Sequence, residues 1–256
     1  MLNIQNLSKK FGGLQAVNDL NLDIKTEQIF GLIGPNGAGK STTLNMIDGS
    51  LLPTNGTIIF KSENITRQRP CHRARKGIAR VFQKDVLFSS FSAIENIKLG
   101  LHIQSNLGIK EIFFPWSSIC REKNSLLNEK AMAILEFVRL NNKADETAAN
   151  LPHGNQRALG LGVALATGCD LLLLDEPLTG MNAEETAQMM EMIKTVRDEK
   201  HLTVIIVEHN MKAVIDLCDQ VAVLDFGKKI AQGNPNEVVE MPKVIEAWLG
   251  AEQDAV

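Results

Sequence analysis

The sequence predicts an α/β fold in which a parallel sheet presents its strand ends to an anion, and three stretches carry that prediction. Gly34-Pro35-Asn36-Gly37-Ala38-Gly39-Lys40-Ser41-Thr42 fits G-x-x-x-x-G-K-[ST], between the apolar run Ile29 to Ile33 and a segment from Ser41 to Met46 free of glycine and proline. Leu171 to Leu174 is apolar at every position and stops at Asp175-Glu176-Pro177. Thr203 to Val207, rich in β-branched residues, stops at Glu208-His209. Unbroken apolar runs of this length read as strands covered on both faces, and open parallel sheets bind ligands beyond the carboxyl ends of such strands.

The first stretch binds phosphate. Its glycines let the backbone curl so that the N–H groups around Asn36, Gly37, Ala38, Gly39, Ser41 and Thr42 converge on one anion, and the helix that follows adds the positive end of its dipole. Lys40 supplies a point charge for β- and γ-phosphates, and the Ser41 hydroxyl is placed to ligate Mg²⁺. Further along, Thr57 to Lys61 reads as a strand, and Ile78 to Phe82 as another that delivers Gln83. Leu127, Ala131, Ile134, Leu135 and Val138 make one face of a long helix, and an Ala/Gly/Leu-rich helix follows Leu151 to Arg157. Beyond the second run, Asp175 suits Mg²⁺ held through a water and Glu176 suits a general base for an attacking water. Asn182, with Glu185 three residues on, has the pattern of a helix cap. His209 is placed to hydrogen-bond a γ-phosphate, and two short strands, Gln220 to Asp225 and Lys228 to Ala231, close the chain around Gly227.

Leu151-Pro152-His153-Gly154-Asn155-Gln156-Arg157, shortly before Asp175-Glu176, resembles the L-S-G-G-Q signature of ATP-binding-cassette ATPases. The family's other elements follow in order from about Asn3 to Leu249. The resemblance implies a P-loop nucleotide-binding core with an antiparallel β subdomain and a helical signature subdomain, in one domain over 1–256. Residues 1–100 and 156–256 form the core and 101–157 the helical part. It places Phe11 against adenine, with Val17 beside the nucleotide, and makes Gln83 a sensor of Mg²⁺ and of a membrane partner. It assigns ATP and Mg²⁺ as cofactors and Pro152, His153, Gly154, Asn155 and Asn182 to the site of an opposing subunit. Pro152 stands where the family has Ser, His153 where it has Gly, Asn155 where it has Gln and Asn182 where most relatives have Asp. Pro152 has neither hydroxyl nor N–H, so one charge-assisted hydrogen bond of about 1.5–3 kcal/mol is absent there. Asn182 serves either as a cap or toward the partner, and His153 either replaces the lost contact or is surface.

Within the family, Leu14 to Asn18, Pro242 to Gly250 and the extra segment His102 to Lys123 resemble the ATPase subunits of branched-chain amino acid importers and their urea and amide relatives. That implies an ATPase on the cytoplasmic face of the inner membrane. Its partners would be transmembrane permease subunits and a second ATPase subunit, arranged head-to-tail as a homodimer or a related heterodimer. Two alternatives stay open: a lipopolysaccharide-export-type ATPase, and a regulatory ATP-binding subunit with weak hydrolysis.

Composition narrows the partners. The chain of 256 residues has a formal net charge of -3, which argues against a general nucleic-acid binder. It has no apolar run of membrane-spanning length and no signal-peptide pattern, so membrane contact is expected through another polypeptide. Arg67, Arg69, His72, Arg73, Arg75, Lys76 and Arg80 form a basic cluster, either a solvated face or a face toward acidic lipid or a membrane partner. No cysteine lies in a C-x-x-C pair, and Cys169 and Cys218 sit in apolar surroundings as buried thiols. Ile112-Phe113-Phe114-Pro115-Trp116 concentrates aromatic residues that either dock on a partner or fold over the helical part.

Overall fold

In the computed structural model, residues 1–81, 87–102 and 118–253 are described, without side chains for 118–124 and 249–253. Strands β3 (Ile29–Ile33), β7 (Leu171–Asp175) and β8 (Thr203–Val207) are buried at every residue. They belong to a six-stranded sheet of order β10-β9-β3-β8-β7-β6, completed by β6 (Ile78–Val81), β9 (Gln220–Asp225) and β10 (Lys228–Gly233). The pairs β3–β9, β3–β8, β8–β7 and β7–β6 are parallel, and β10 returns antiparallel to β9.

The two-residue period of a strand explains why these runs are apolar throughout. Ile29, Ile33, Leu172, Leu174, Val204 and Ile206 face one core, while Phe30, Leu32, Leu171, Leu173, Ile205 and Val207 face another. The second core is closed by an antiparallel sheet of order β2-β1-β4-β5: β1 (Leu2–Phe11), β2 (Leu14–Ile24), β4 (Asn55–Phe60) and β5 (Glu63–Asn64). Helix α1 (Lys40–Asp48) packs into the same core through Leu44, Met46 and Ile47. The short helix α2 (Pro70–Arg75) lies beside α1 and β6.

The first core is closed by helices. Helix α3 (Ala93–His102), counted with the first part of the chain by sequence, packs on α4 (Ser118–Phe137) and α5 (His153–Ala166). Ala131, Leu135 and Val138 are buried there, as their spacing predicts. Helices α6 (Ala183–Lys200), α7 (Met211–Leu217), α8 (Pro235–Val239) and α9 (Pro242–Gln253) complete the chain. No helix among the described residues is long and apolar enough to cross a membrane.

The basic cluster is not one face. Arg73 is fully buried and donates to the backbone oxygens of Met46, Ile47, Thr66 and Gln68, tying α2 to the end of α1. Arg80 also points inward, whereas Arg67, Arg69, His72 and Arg75 are exposed. Cys169 and Cys218 are buried, and desolvation pushes both thiols up to about 12. Gln83 and the aromatic run Ile112 to Trp116 lie outside the described residues.

Candidate active site

Three neighbouring strands deliver the predicted residues to one edge. In the parallel registers, Leu32 pairs with Val207, and Val207 with Asp175. The phosphate loop after β3, Glu208-His209 after β8 and Glu176 after β7 therefore leave the sheet side by side. This convergence follows from strand order, which no local pattern encodes.

The loop is shaped for an anion. Gly39 caps α1 with φ 101° and no side-chain cap, so the first N–H groups of the helix keep no internal partner. A side chain at Gly39 would meet the Ala16 carbonyl oxygen at 2.4 Å, so the loop lies directly on β2. The Gly227 turn, which lies against the same stretch of β2, also holds the loop, its N–H donating to the Ala38 oxygen at 3.1 Å. Lys40 is buried and its Nζ donates to the oxygens of Gly34 (2.7 Å) and Pro35 (2.8 Å). Burial pulls the Lys40 ammonium below its usual range, and the nearby carboxylates of Glu176 and Asp175 oppose that shift. Asn36, Gly37 and Ser41 are exposed at the mouth, Thr42 is half-buried and Ala38 is buried. Thr43, buried beneath them, donates from Oγ1 to the Gly39 oxygen at 2.9 Å.

Phe11 ends β1 with 47% of its surface exposed, and Lys9 Nζ sits 5.1 Å from its ring centroid. That is an open aromatic face of the kind a base stacks on. Val17 is fully buried, so it forms part of the floor under Gly39.

Glu176 has φ 49°, a strained conformation for a residue with a side chain. Its Oε1 lies 3.9 Å from His209 Nδ1, and its Oε2 accepts from Thr179 Oγ1 at 3.4 Å. The Asp175 carboxylate accepts from Arg80 Nη2 at 2.7 Å. Arg80 also donates to Asn45 Oδ1 at 2.6 Å and pairs with Asp48, so one guanidinium joins β6, α1 and the carboxyl end of β7. With only 6% of its side chain exposed, this pairing is sheltered from solvent screening.

The Ser41 hydroxyl and the Asp175 carboxylate offer hard oxygens of the kind Mg²⁺ takes from protein beside phosphates, directly or through a water. No group of three or more His, Cys, Asp or Glu suited to a metal occurs among the described residues, which is compatible with an ion completed by phosphate oxygens and water.

The signature residues form a second surface. Pro152 and His153 are exposed at the start of α5, and Gly154 and Asn155 are half-buried. Gln156 Nε2 donates to the oxygens of Ala148 and Leu151, fastening the preceding turn. Asn182 is the cap of α6: its Oδ1 accepts from the N–H groups of Glu184 and Glu185, and Glu185 Oε2 accepts from the Asn182 N–H. A Cβ at Gly154 would lie 2.6 Å from Glu185 Oε1, and one at Gly180 3.4 Å from the His153 ring. Signature and cap thus form one continuous patch.

Two functional groups escaped sequence reasoning. The basic cluster was expected as a solvated face or a face toward acidic lipid or a membrane partner, although Arg80 is a lone charge inside the otherwise apolar Ile78-Ala79-Arg80-Val81. Glu208 was read only as the place where β8 stops, yet it is 1% exposed. Desolvation pushes its carboxyl above the usual range, resisted by the Leu178 N–H and His209 and reinforced by Glu176.

The sequence family described as ABC transporter matches residues 17–179, and that described as Branched-chain amino acid ATP-binding cassette transporter matches residues 228–254. The High-affinity branched-chain amino acid transport ATP-binding protein LivG of Escherichia coli K12 is 36% identical over 250 residues, covering 98% of each chain. Its counterpart BraF of Pseudomonas aeruginosa is 37% identical over 251 residues, again with 98% of each chain covered. Among solved structures, the ADP conformation of MJ1267, an ATP-binding cassette of an ABC transporter, superposes with a TM-score of 0.84 at 28% identity, covering 98% of both chains.

Proposed function

This chain belongs to the ABC transporter ATP-binding family, in its branched-chain amino acid transport group, and from that premise we propose that it is the ATP-hydrolysing subunit of a membrane importer for branched-chain or related hydrophobic amino acids. The observation that carries the hydrolytic reading is the convergence of the phosphate loop, Asp175-Glu176 and His209 at one edge of the sheet.

The loop N–H groups bind the β- and γ-phosphates, and Phe11 stacks on the base, a contact worth about 1–3 kcal/mol. Lys40 exchanges the Gly34 and Pro35 oxygens for phosphate oxygens, which compensates its burial. Ser41 and Asp175 would hold Mg²⁺, whose charge neutralises the phosphate oxygens when bound. Glu176 orients a water toward the γ-phosphate and accepts its proton, while His209 hydrogen-bonds the γ-phosphate oxygen. The patch of Pro152, His153, Gly154 and Asn155 beside the Asn182 cap faces the second ATPase subunit, and permease subunits hold the pair at the membrane.

Glu176→Gln tests this reading. Titration with Mg-ATP should show affinity close to wild type, while turnover falls by about 10²–10⁴. Undiminished turnover removes Glu176 as the base.

A further inference from the structure

We propose that Glu208 is a positioning residue: its buried carboxylate holds the loop after Glu176 to the end of β8, and so sets Glu176 and His209 relative to each other. The proposal deepens the hydrolytic reading above and rests on it.

Sheet pairing ends at the register pair Asp175 and Val207, so the loop beyond has no ladder to place it. The Glu176 N–H still donates to the Val207 oxygen at 2.9 Å, but Glu176 then turns through φ 49°, a conformation that persists only where surrounding contacts enforce it. The next anchor is the Leu178 N–H, buried with its side chain, which donates to Glu208 Oε1 at 3.0 Å. The remaining turn builds on those two residues: the Thr179 N–H donates to the Glu176 oxygen and the Met181 N–H to the Leu178 oxygen, each at 3.3 Å. The other Glu208 oxygen accepts from the His209 N–H at 3.3 Å. One side chain therefore touches the backbone on both sides of the Glu176–His209 pair.

A carboxylate is a costly way to fill a 1% exposed position, all the more beside Glu176. What the position requires is reach and an acceptor oxygen. Glutamine has both without the charge, keeping an acceptor for the Leu178 N–H and giving up only the longer contact from the His209 N–H. Methionine has similar length and shape but would leave the Leu178 N–H unpaired.

Glu208→Gln and Glu208→Met, in the full-length chain and the complex it assembles with, separate geometry from charge. Glu208→Gln should keep kcat within about 3-fold, and Glu208→Met should lower it by about 10–100-fold, the scale of a misplacement near 1 Å. In both, the KM for ATP and the affinity for Mg-ATP should stay within about 3-fold, because the interaction acts on the chemical step. Thermal melting checks folding; should Glu208→Met fail to fold, Glu208→Asp, too short to reach Leu178, replaces it with the same expected loss. A Glu208→Gln as impaired as Glu208→Met overturns the proposal, as does a wild-type kcat in Glu208→Met or a loss carried by KM. Glu176→Gln measured alongside keeps the two readings apart. Normal turnover in Glu176→Gln removes Glu176 as the base, and with it the pair that Glu208 would position, whereas impaired Glu176→Gln with normal Glu208→Met sinks only the role of Glu208.

Discussion

Arg80 and Glu208 are opposite charges in the same situation, one inside a short strand and one at the end of another, and each is turned inward. Arg80 meets Asp48, Asn45 and Asp175, so its burial is compensated by partners from two other elements. Glu208 has N–H donors, but burial, and to a lesser degree the Glu176 carboxylate, push its pKa above the ordinary carboxylate range. That has a consequence for stability. A carboxyl whose pKa is raised by folding contributes stability below its unfolded pKa and loses it as pH rises through the folded value. Charged Glu208 is therefore a burden in neutral and alkaline buffer, with Glu176, His209 and the buried Cys218 thiol as the titratable groups that face it. Glu208→Gln should melt at a higher temperature than wild type there. The difference should shrink as pH falls toward the ordinary carboxylate range, where Glu208 takes up a proton and is neutral like glutamine. Melting curves across that window check the sign, and a gap that widens on acidification contradicts it.

Helices α5 and α6 meet at their N-termini, and Gly154 is what lets them. The signature glycine was expected to act only on an opposing subunit, but its missing side chain also makes room for Glu185 Oε1. Gly154→Asp would set a second carboxylate against Glu185 and pull that side chain off the Asn182 N–H. The expected local cost is about 0.5–2 kcal/mol, the usual worth of a helix cap. Denaturant unfolding of the isolated chain should show that loss, while ATP binding by the chain stays intact and hydrolysis in the assembled complex fails. Unfolding unchanged from wild type would show that the cap survives; lost ATP binding would place the signature at the chain's own nucleotide. The cap was legible in the sequence, because Asn182 and Glu185 are three residues apart on one element. Its contact with Gly154 was not, because the two belong to helices separated by a strand.

For the whole molecule, the proposed head-to-tail pair predicts that nucleotide joins the subunits. With Glu176→Gln blocking turnover, Mg-ATP should convert the chain from monomer to dimer in sedimentation, and Mg-ADP should not. A chain that stays monomeric with saturating Mg-ATP would count against the pairing. The sequence by itself determined the phosphate loop, the strands β3, β7 and β8 and the carboxylate and histidine that end two of them. Each is a property of a contiguous stretch: a glycine spacing, an unbroken apolar run, a polar residue where the run stops. Only the tertiary structure decided that β8 lies between β3 and β7, that Arg73 and Arg80 leave the basic face for the interior, and that Glu208 grips the Leu178 N–H. Those facts depend on which distant groups become neighbours. A side chain's burial and charge state follow from the donors, acceptors and apolar walls around it, and these are fixed when the sheet assembles.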